Sequence, residues 1–282
     1  MPTFDTPDPI FAVVELGYGF VRINASDRAD TVVDVIPSDE SDSADEKTAE
    51  QTRVEYSNGR LLVRAPKHKY RWWSFGTGPS VMVTIDLPTG SRIAVDGAAA
   101  DVRCEGHFGE AKIDSSYGEI WLDRADRVRL HSGYGGITVA RSAGHSDIAT
   151  SGGEVRIDEI NGSGVVKNAH GGITVGQVTG DLRLSTASGD ITIDRTLATV
   201  AAKTAYGGVR IGEVVRGTVV AETSYGRLEI GVAPGTAAWL DVSTQYGRVD
   251  SSLEASAGPA ESDETAEVRA RTSYGDIVIR RA

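Results

Sequence analysis

Residues 171–214 read GGITVGQVTGDLRLSTASGDITIDRTLATVAAKTAYGGVRIGEV, and this stretch decides the fold. Its glycines at 171, 189 and 207 are 18 residues apart, and an apolar strand follows each of them. A second strand lies halfway between the glycines, so apolar positions recur every nine residues. Those positions are Ile173, Leu182, Ile191, Val200 and Val209. The repeat unit is therefore nine residues long, and two units make one 18-residue period.

Apolar and polar residues alternate inside each unit. Ile191 and Ile193 flank Thr192, for example, and period two places the apolar side chains on one face of a strand. The remainder of each unit is Gly, Ser, Thr, Ala, Asn and Asp, the residues that favour turns. Between residues 106 and 282 no helical period exists. The pattern predicts short strands joined by tight turns.

A strand and a turn repeated at fixed spacing favour a coil whose successive turns stack in parallel, about 4.8 Å apart. One turn cannot bury its own apolar face, so each turn depends on its neighbours. The sequence predicts an all-β fold, a parallel β-solenoid of about 18 residues per turn, right-handed as parallel crossovers usually are. Two other repeat folds do not fit. The hexapeptide helix needs an aliphatic residue every six positions, whereas the spacing here is nine. The calcium-binding roll needs G-G-x-G-x-D, whereas the Gly-Gly pairs here are followed by ITV and VRI.

The N-terminal third lacks the fixed period. Strand-like runs occur at 11–16, 20–24, 31–36, 53–56, 60–65, 81–87 and 92–96. We expect residues 1–100 to form an N-terminal β cap, continuous with a repeat solenoid over residues 101–282, because an uncapped stack exposes a strand edge. The acidic residues 37–52 are expected to form a flexible loop or a short helix, and residues 255–266 a similar loop.

Composition limits the classes of function. The 282-residue chain has a net charge of −11, which disfavours nucleic-acid binding, because that needs cations against phosphates. The start MPTFDTPDPIF has neither the basic nor the apolar region of a signal peptide, and no apolar run of 18 residues could span a membrane. Cys104 is the single cysteine, which suits a reducing compartment. We expect a cytoplasmic protein without a transmembrane segment.

Seven of the nine tyrosines directly precede a glycine of the repeat: Tyr18, Tyr117, Tyr134, Tyr206, Tyr225, Tyr246 and Tyr274. Tyr206, Tyr225 and Tyr246 occupy equivalent positions in consecutive repeats, which predicts an aromatic ladder. Such a ladder could be a stripe that binds carbohydrate or a partner. In the simpler alternative, each ring covers the neighbouring turn glycine and fixes the register.

The most unusual segment lies between two predicted strands of the cap. It reads KHKYRWWSF over residues 67–75 and is bounded by Pro66 and Pro79. Aromatic residues and arginine dominate protein interfaces, and tryptophan also suits a membrane surface. The candidate partner-binding residues are Lys67, Lys69, Tyr70, Arg71, Trp72, Trp73 and Phe75. The structural alternative is a long hairpin tip whose aromatic side chains fold back over the cap.

No catalytic or metal-binding constellation stands out. The five histidines, at 68, 107, 131, 145 and 170, lack the spacing of a zinc site. Asp190 and Asp276 follow the repeat glycine, where Glu, Gly and Arg also occur, so this is a turn position. No G-x-S-x-G elbow supports a nucleophilic serine. We therefore assign no catalytic residues, no metal ligands and no cofactor.

The repeats YGGITV, HGGITV, SGDITI, YGRLEI and YGDIVI resemble the bacterial β-strand-repeat family called "putative adhesins" or toast-rack domains. The opening MPTFDTPDPI, the segment EQTRVEYSNGRLLVRAP and the ending EVRARTSYGDIVIRR are similar to its soluble actinobacterial branch. This family of unknown function has no established catalytic residues. The resemblance implies a β-strand-repeat fold and, from some relatives, a link to envelope-stress signalling at membranes.

These observations favour a non-catalytic scaffold or protein-binding module with an unidentified protein partner. One alternative is a solenoid that binds, or less readily cleaves, glycans. Another is a purely structural module that assembles with itself. The last strand, Ile277 to Ile279, is expected to be an edge through which a homo-oligomer forms.

Overall fold

The computed structural model describes residues 1–66, 78–254 and 264–282, and the chain divides into two compact units, Met1–Ala140 and Arg141–Ala282. The N-terminal unit contains β1 (Thr3–Asp5), β2 (Phe11–Ser26), β3 (Asp30–Pro37), α1 (Ser43–Gln51), β4 (Arg53–Ser57), β5 (Arg60–Arg64), β6 (Ser80–Pro88), β7 (Arg92–Tyr117) and β8 (Ile120–Tyr134). The strand β9 (Ile137–Ser142) leads into the second unit.

The C-terminal unit consists of short strands. They are β10 (Ser146–Gly152), β11 (Val155–Ile160), β12 (Gly164–His170), β13 (Ile173–Val178), β14 (Leu182–Ser188), β15 (Ile191–Thr196), β16 (Val200–Tyr206), β17 (Val209–Val214), β18 (Gly217–Tyr225), β19 (Leu228–Val232), β20 (Thr236–Tyr246), β21 (Val249–Ser251), β22 (Glu264–Tyr274) and β23 (Ile277–Arg281).

The central strand of the N-terminal unit is β2. Strand β7 runs parallel to it along one side, while β5 and β6 share the other side one after the other. The antiparallel strands β3 and β4 then pair with β6 and β5, and β1 pairs with β3. These antiparallel strands end the parallel stacking, as the cap of a solenoid must. The division at residue 100 stays a prediction.

Helix α1 forms within the acidic residues 37–52, for which the sequence predicted either a flexible loop or a short helix. Asp42 is its N-cap, and its carboxylate accepts a hydrogen bond from the Ala44 amide at 2.8 Å. The buried carboxylate of Asp45 accepts the amide of Ser80 at 2.7 Å and so ties the helix to the start of β6. No described helix is long and apolar enough to cross a membrane.

The C-terminal unit is the predicted coil. Strands β10, β12, β14, β16 and β18 form one parallel ladder, and β11, β13, β15, β17 and β19 form a second. Ile191 lies opposite Ile173 on one side and Val209 on the other, an offset of one 18-residue repeat in each direction. The structure therefore confirms the all-β fold, the parallel solenoid and its period.

Columns of apolar side chains fill the interior of this coil. Ile173, Ile191 and Leu228 have no exposed surface, and Val209 retains 1%. Burial of each such side chain contributes roughly 1.5–3 kcal/mol before conformational entropy is subtracted. The stacked columns supply the stability that no single turn could provide.

The last two turns are not stacked in chain order. Strand β22 pairs with β18 on one side and β20 on the other, and β23 pairs with both β19 and β21. The final turn of the chain thus lies between the two turns that precede it. The prediction that the strand at Ile277–Ile279 is an edge is wrong, because β23 has a partner strand on each side, and both isoleucines are fully buried. Among the described residues, β20 and β21 form that edge instead.

Candidate functional site

The residues proposed from sequence as a partner-binding segment lie outside the described residues. They are Lys67, Lys69, Tyr70, Arg71, Trp72, Trp73 and Phe75. Both flanks of this segment are described, and both lie against β2. The Ala65 amide donates to the Glu15 carbonyl at 2.9 Å, and Gly78 lies against the Tyr18 ring so closely that a Cβ would sit 2.6 Å from it.

An ion pair links the N-terminal flank of the segment to β2. The Arg64 guanidinium donates to both carboxylate oxygens of Glu15, at 2.8 and 2.9 Å, and this pairing raises the pKa of Arg64. Two parallel hydrogen bonds fix orientation as well as distance. An open cleft of about 530 Å³ lies beside the pair, lined by Glu15, Gln51, Arg53, Arg64, Ala65 and Pro66. The residues that precede the segment thus include an oriented ion pair beside an open cleft.

Tyrosine rings stack along the outside of each unit. In the N-terminal unit Tyr117 and Tyr134 stack with ring centroids 5.5 Å apart. In the C-terminal unit Tyr206 stacks on Tyr225 at 5.2 Å with an interplanar angle of 6°. The spacing follows from the parallel strands, which hold equivalent side chains about 4.8 Å apart.

The order of the second ladder differs from the sequence prediction. Tyr246 does not neighbour Tyr225, because Tyr274 lies between them, at 4.8 Å from Tyr225 and 4.7 Å from Tyr246. All of these rings are exposed, Tyr206 at 62% and Tyr246 at 59%. The inner rings nevertheless contact each other through their faces, so they present edges and hydroxyls to the solvent. Because a sugar stacks on a ring face, only the end rings of this ladder suit a carbohydrate.

A buried ladder of hydroxyl and amide side chains lies beneath the tyrosines, and sequence reasoning missed it. From Gly118 onward, a Ser, Thr or Asn occupies the third position before each repeat glycine, and most of these side chains donate to a backbone carbonyl of the adjacent turn. Thr204 donates to Gly189 at 3.0 Å, and Thr223 to Gly207 at 2.8 Å. Asn168, Thr186, Thr272 and Thr244 do the same for Gly153, Gly171, Gly226 and Gly275. The recurring sequence T-x-Y-G was the available signal.

Replacing Thr204 with valine should lower the free energy of unfolding by about 1–2 kcal/mol. Valine has nearly the same shape as threonine but no hydroxyl. The Gly189 carbonyl therefore loses the hydrogen bond that it accepts from Thr204, at a position where Thr204 is only 2% exposed. Thr192→Val is the matched control, since Thr192 points outward from β15, and it should be close to neutral. Urea unfolding of both variants measures the difference, and equal midpoints would contradict the role of the buried ladder.

The aspartates that follow the repeat glycines accept hydrogen bonds from backbone amides of the neighbouring turn. Asp190 accepts the Gly208 amide at 2.7 Å, and Asp276 accepts the Arg248 amide at 2.9 Å. His107 contacts Asp126 at 2.9 Å on an exposed surface. Within residues 1–66, 78–254 and 264–282, no group of three or more His, Cys, Asp or Glu residues could hold a metal ion.

Cys104 lies inside the N-terminal unit with no exposed surface. Burial in these apolar surroundings raises the pKa of its thiol far above the ordinary range. The thiolate is the reactive form of cysteine, so this side chain is inert toward oxidants in the folded protein.

The edge formed by β20 and β21 carries uncovered apolar side chains. Val249 is 42% exposed, although its neighbour Ile277 in the next turn is fully buried. Leu240 and Val242 are half-buried, whereas their partners Val268 and Ala270 have no exposed surface. Trp239 is 59% exposed beside an open cleft of about 460 Å³ that also includes Thr218 and Glu267.

Comparison with solved structures gives similarities to bacterial proteins at low sequence identity. One is described as a "putative adhesin" from Bacteroides fragilis NCTC 9343, with 13% identity over 99% of this chain and 96% of that one, and a TM-score of 0.39. Another is a "putative adhesin" from Parabacteroides merdae ATCC 43184, with 12% identity over 99% and 94%, and a TM-score of 0.32. A "putative cell adhesion protein" from Clostridium sporogenes ATCC 15579 has 13% identity over 100% and 98%, and a TM-score of 0.21.

The fold and its ladders define a class: a parallel β-solenoid whose corners are built from glycine, tyrosine and a buried hydroxyl. A sequence profile described as "Toastrack DUF4097" matches residues 19–230. The chain therefore belongs to the toast-rack family, as the repeats indicated. No curated protein matches it at a significant level.

Proposed function

We propose that this toast-rack protein is a non-catalytic, cytoplasmic scaffold that binds a protein partner through residues 67–75. The observation that carries the proposal is the anchoring of both flanks on one strand. Arg64 lies opposite Glu15 and Ser80 lies opposite Tyr18, so the two flanks of the segment pair with β2 at positions three residues apart. Fixing both ends of a binding segment reduces the conformational entropy that is lost when the segment binds a partner.

The chemistry of the segment indicates the kind of partner. Lys67, Lys69 and Arg71 bring three positive charges into a chain with a net charge of −11. Trp72, Trp73 and Phe75 add aromatic side chains, which are enriched at interface hot spots. The partner surface that complements both features is apolar at its centre and acidic at its rim. By family resemblance, we place this partner in an envelope-stress or membrane-associated pathway.

An affinity pull-down from host extract tests the proposal. The wild-type chain should retain a protein that the Trp72→Ala/Trp73→Ala double variant loses, because the central aromatic contacts of an interface carry most of its energy. Trp239→Ala is the matched control, since it removes an exposed tryptophan from the other unit, and it should retain the partner. Thermal melts of all three proteins must agree, so that lost binding does not reflect lost folding.

A second step separates charge from apolar contact. With the captured partner purified, Lys67→Glu/Lys69→Glu/Arg71→Glu should slow association and reduce its dependence on salt, since charges at a rim act mainly on the association rate. Equal recovery of the partner by wild type and the double tryptophan variant would overturn the proposal. So would binding of the wild-type chain to acidic lipid vesicles without any protein partner.

A further inference from the structure

We infer that the edge formed by β20 and β21 is a self-association surface, through which two copies of this chain pair with two-fold symmetry. The outer edge of β20 has no partner strand among the described residues. By contrast, β12 to β19, β22 and β23 each pair with a strand of the same repeat on both sides. The uncovered turn therefore presents half of an interface that the coil forms repeatedly with itself.

The edge lacks the features that keep exposed strands apart. Natural edges carry lysine, proline or a bulge that blocks the addition of a further strand. The 11 residues of β20, TAAWLDVSTQY, contain no lysine, arginine or proline. Their one carboxylate, Asp241, is already paired with Arg271 of β22 at 3.1 Å. Nothing on this strand opposes pairing with a strand of similar pattern.

The apolar surface of the edge calls for a similar pattern in its partner. Leu240 and Val242 point along the interior columns and are half-buried, and Val249 is 42% exposed. A partner that covers them must itself place apolar side chains at alternate positions, as β20 does at Ala238, Leu240 and Val242. The free face of Tyr246 also ends the tyrosine ladder at this edge.

Symmetry fixes the pairing further. Two copies related by a two-fold axis across the end of the coil meet with their edge strands antiparallel. A register centred on Val242 places Leu240 opposite Thr244 and Asp241 opposite Ser243, so apolar positions stay inward and no like charges meet. A register centred on Asp241 would oppose two carboxylates, which is unfavourable. Of these two registers, the charges favour the one centred on Val242.

The net charge of −11 does not prevent this pairing. At physiological ionic strength, charges farther apart than about 8 Å are largely screened. The charges close to the edge therefore decide. On the two edge strands these are Asp241 of β20, which is paired with Arg271, and Asp250 of β21.

Sedimentation velocity over a concentration series tests the inference on the full chain. The wild-type mass should rise toward that of a dimer, and Val242→Lys should weaken the dimer at least tenfold, because it places a charge at an apolar position of the edge. Val220→Lys is the control: the same change on the outward face of β18, where it should leave the dimer intact. A wild-type monomer at the highest soluble concentration, or equal dimerisation of all three proteins, would overturn the inference.

Disulfide trapping tests the register independently of stability. Directly opposite residues of antiparallel strands have Cβ atoms about 4.5–5.5 Å apart, close enough for a disulfide after a small adjustment. Val242→Cys should therefore form a cross-linked dimer with oxidised glutathione, and Val220→Cys should not. The native Cys104 is buried and does not compete. Failure of Val242→Cys to cross-link, while wild type dimerises, would place the interface elsewhere and refute this edge.

Discussion

Replacing Ile191 with aspartate is expected to unfold the C-terminal unit at temperatures where the wild-type protein is folded. Ile191 has no exposed surface and lies between Ile173 and Val209 in the apolar column. The substitution removes a large apolar side chain and places a carboxyl group, charged or protonated, where no partner can satisfy it. We expect the free energy of unfolding to fall by more than about 4 kcal/mol, which is among the largest effects of single substitutions. Thermal and urea unfolding followed by circular dichroism measure it.

Thr192→Asp is the matched control for this change. Thr192 is the next residue of the same strand and points away from the core, because successive side chains of a strand alternate in direction. The same carboxylate should cost less than about 1 kcal/mol there, mostly through the lower strand propensity of aspartate. If Ile191→Asp melted like the wild type, the inward assignment of the column would be wrong.

Replacing Gly189 with alanine is expected to destabilise the coil by about 3 kcal/mol or more. Its φ of +148° lies in a region that essentially only glycine occupies, at a cost of order 1–3 kcal/mol for other residues. An added Cβ would also lie 2.1 Å from the Gly171 carbonyl oxygen of the adjacent turn. The backbone must shift to relieve this contact, and the shift disturbs the ladder on both sides. Urea unfolding gives the magnitude.

Two further glycines separate the causes of this effect. Gly235 has φ +77° with no atom within 4 Å of a Cβ, so Gly235→Ala should cost only the conformational part, about 1–2 kcal/mol. Gly172 has an ordinary φ, and its Cβ would lie 3.5 Å from the Asp190 carbonyl oxygen, so Gly172→Ala should be nearly neutral. If Gly189→Ala and Gly235→Ala lowered the free energy of unfolding by similar amounts, the close approach between turns at Gly189 would contribute nothing to the cost of that substitution.

The candidate surfaces were predictable from sequence to different extents. The recurring Tyr-Gly pairs predicted that tyrosines stack, because equivalent residues of a parallel coil are neighbours, but not that Tyr274 lies between Tyr225 and Tyr246. The buried hydroxyls of Thr186 and Thr204 were missed, since threonine at a turn carries no sign of which carbonyl it reaches. The segment at residues 67–75 was selected by composition. That its flanking residues lie against Glu15 and Tyr18 became evident only from the pairing of β5 and β6 with β2.

The sequence by itself determined the strands, their inward faces and the 18-residue turn, because these depend on residues that are near one another in the chain. Only the tertiary structure decided the stacking order of the last turns. The position of a turn in the chain does not determine which other turns it stacks against when it lies at the end of the coil. Ile279 pairs with Ser251, and both positions point inward. Placing the turn of Ile277 and Ile279 inside buries both isoleucines fully, while the weaker turn, with Val249 and Ser251, stays at the end. The reverse order would bury a serine hydroxyl and expose an isoleucine, so the hydrophobic effect favours the observed arrangement.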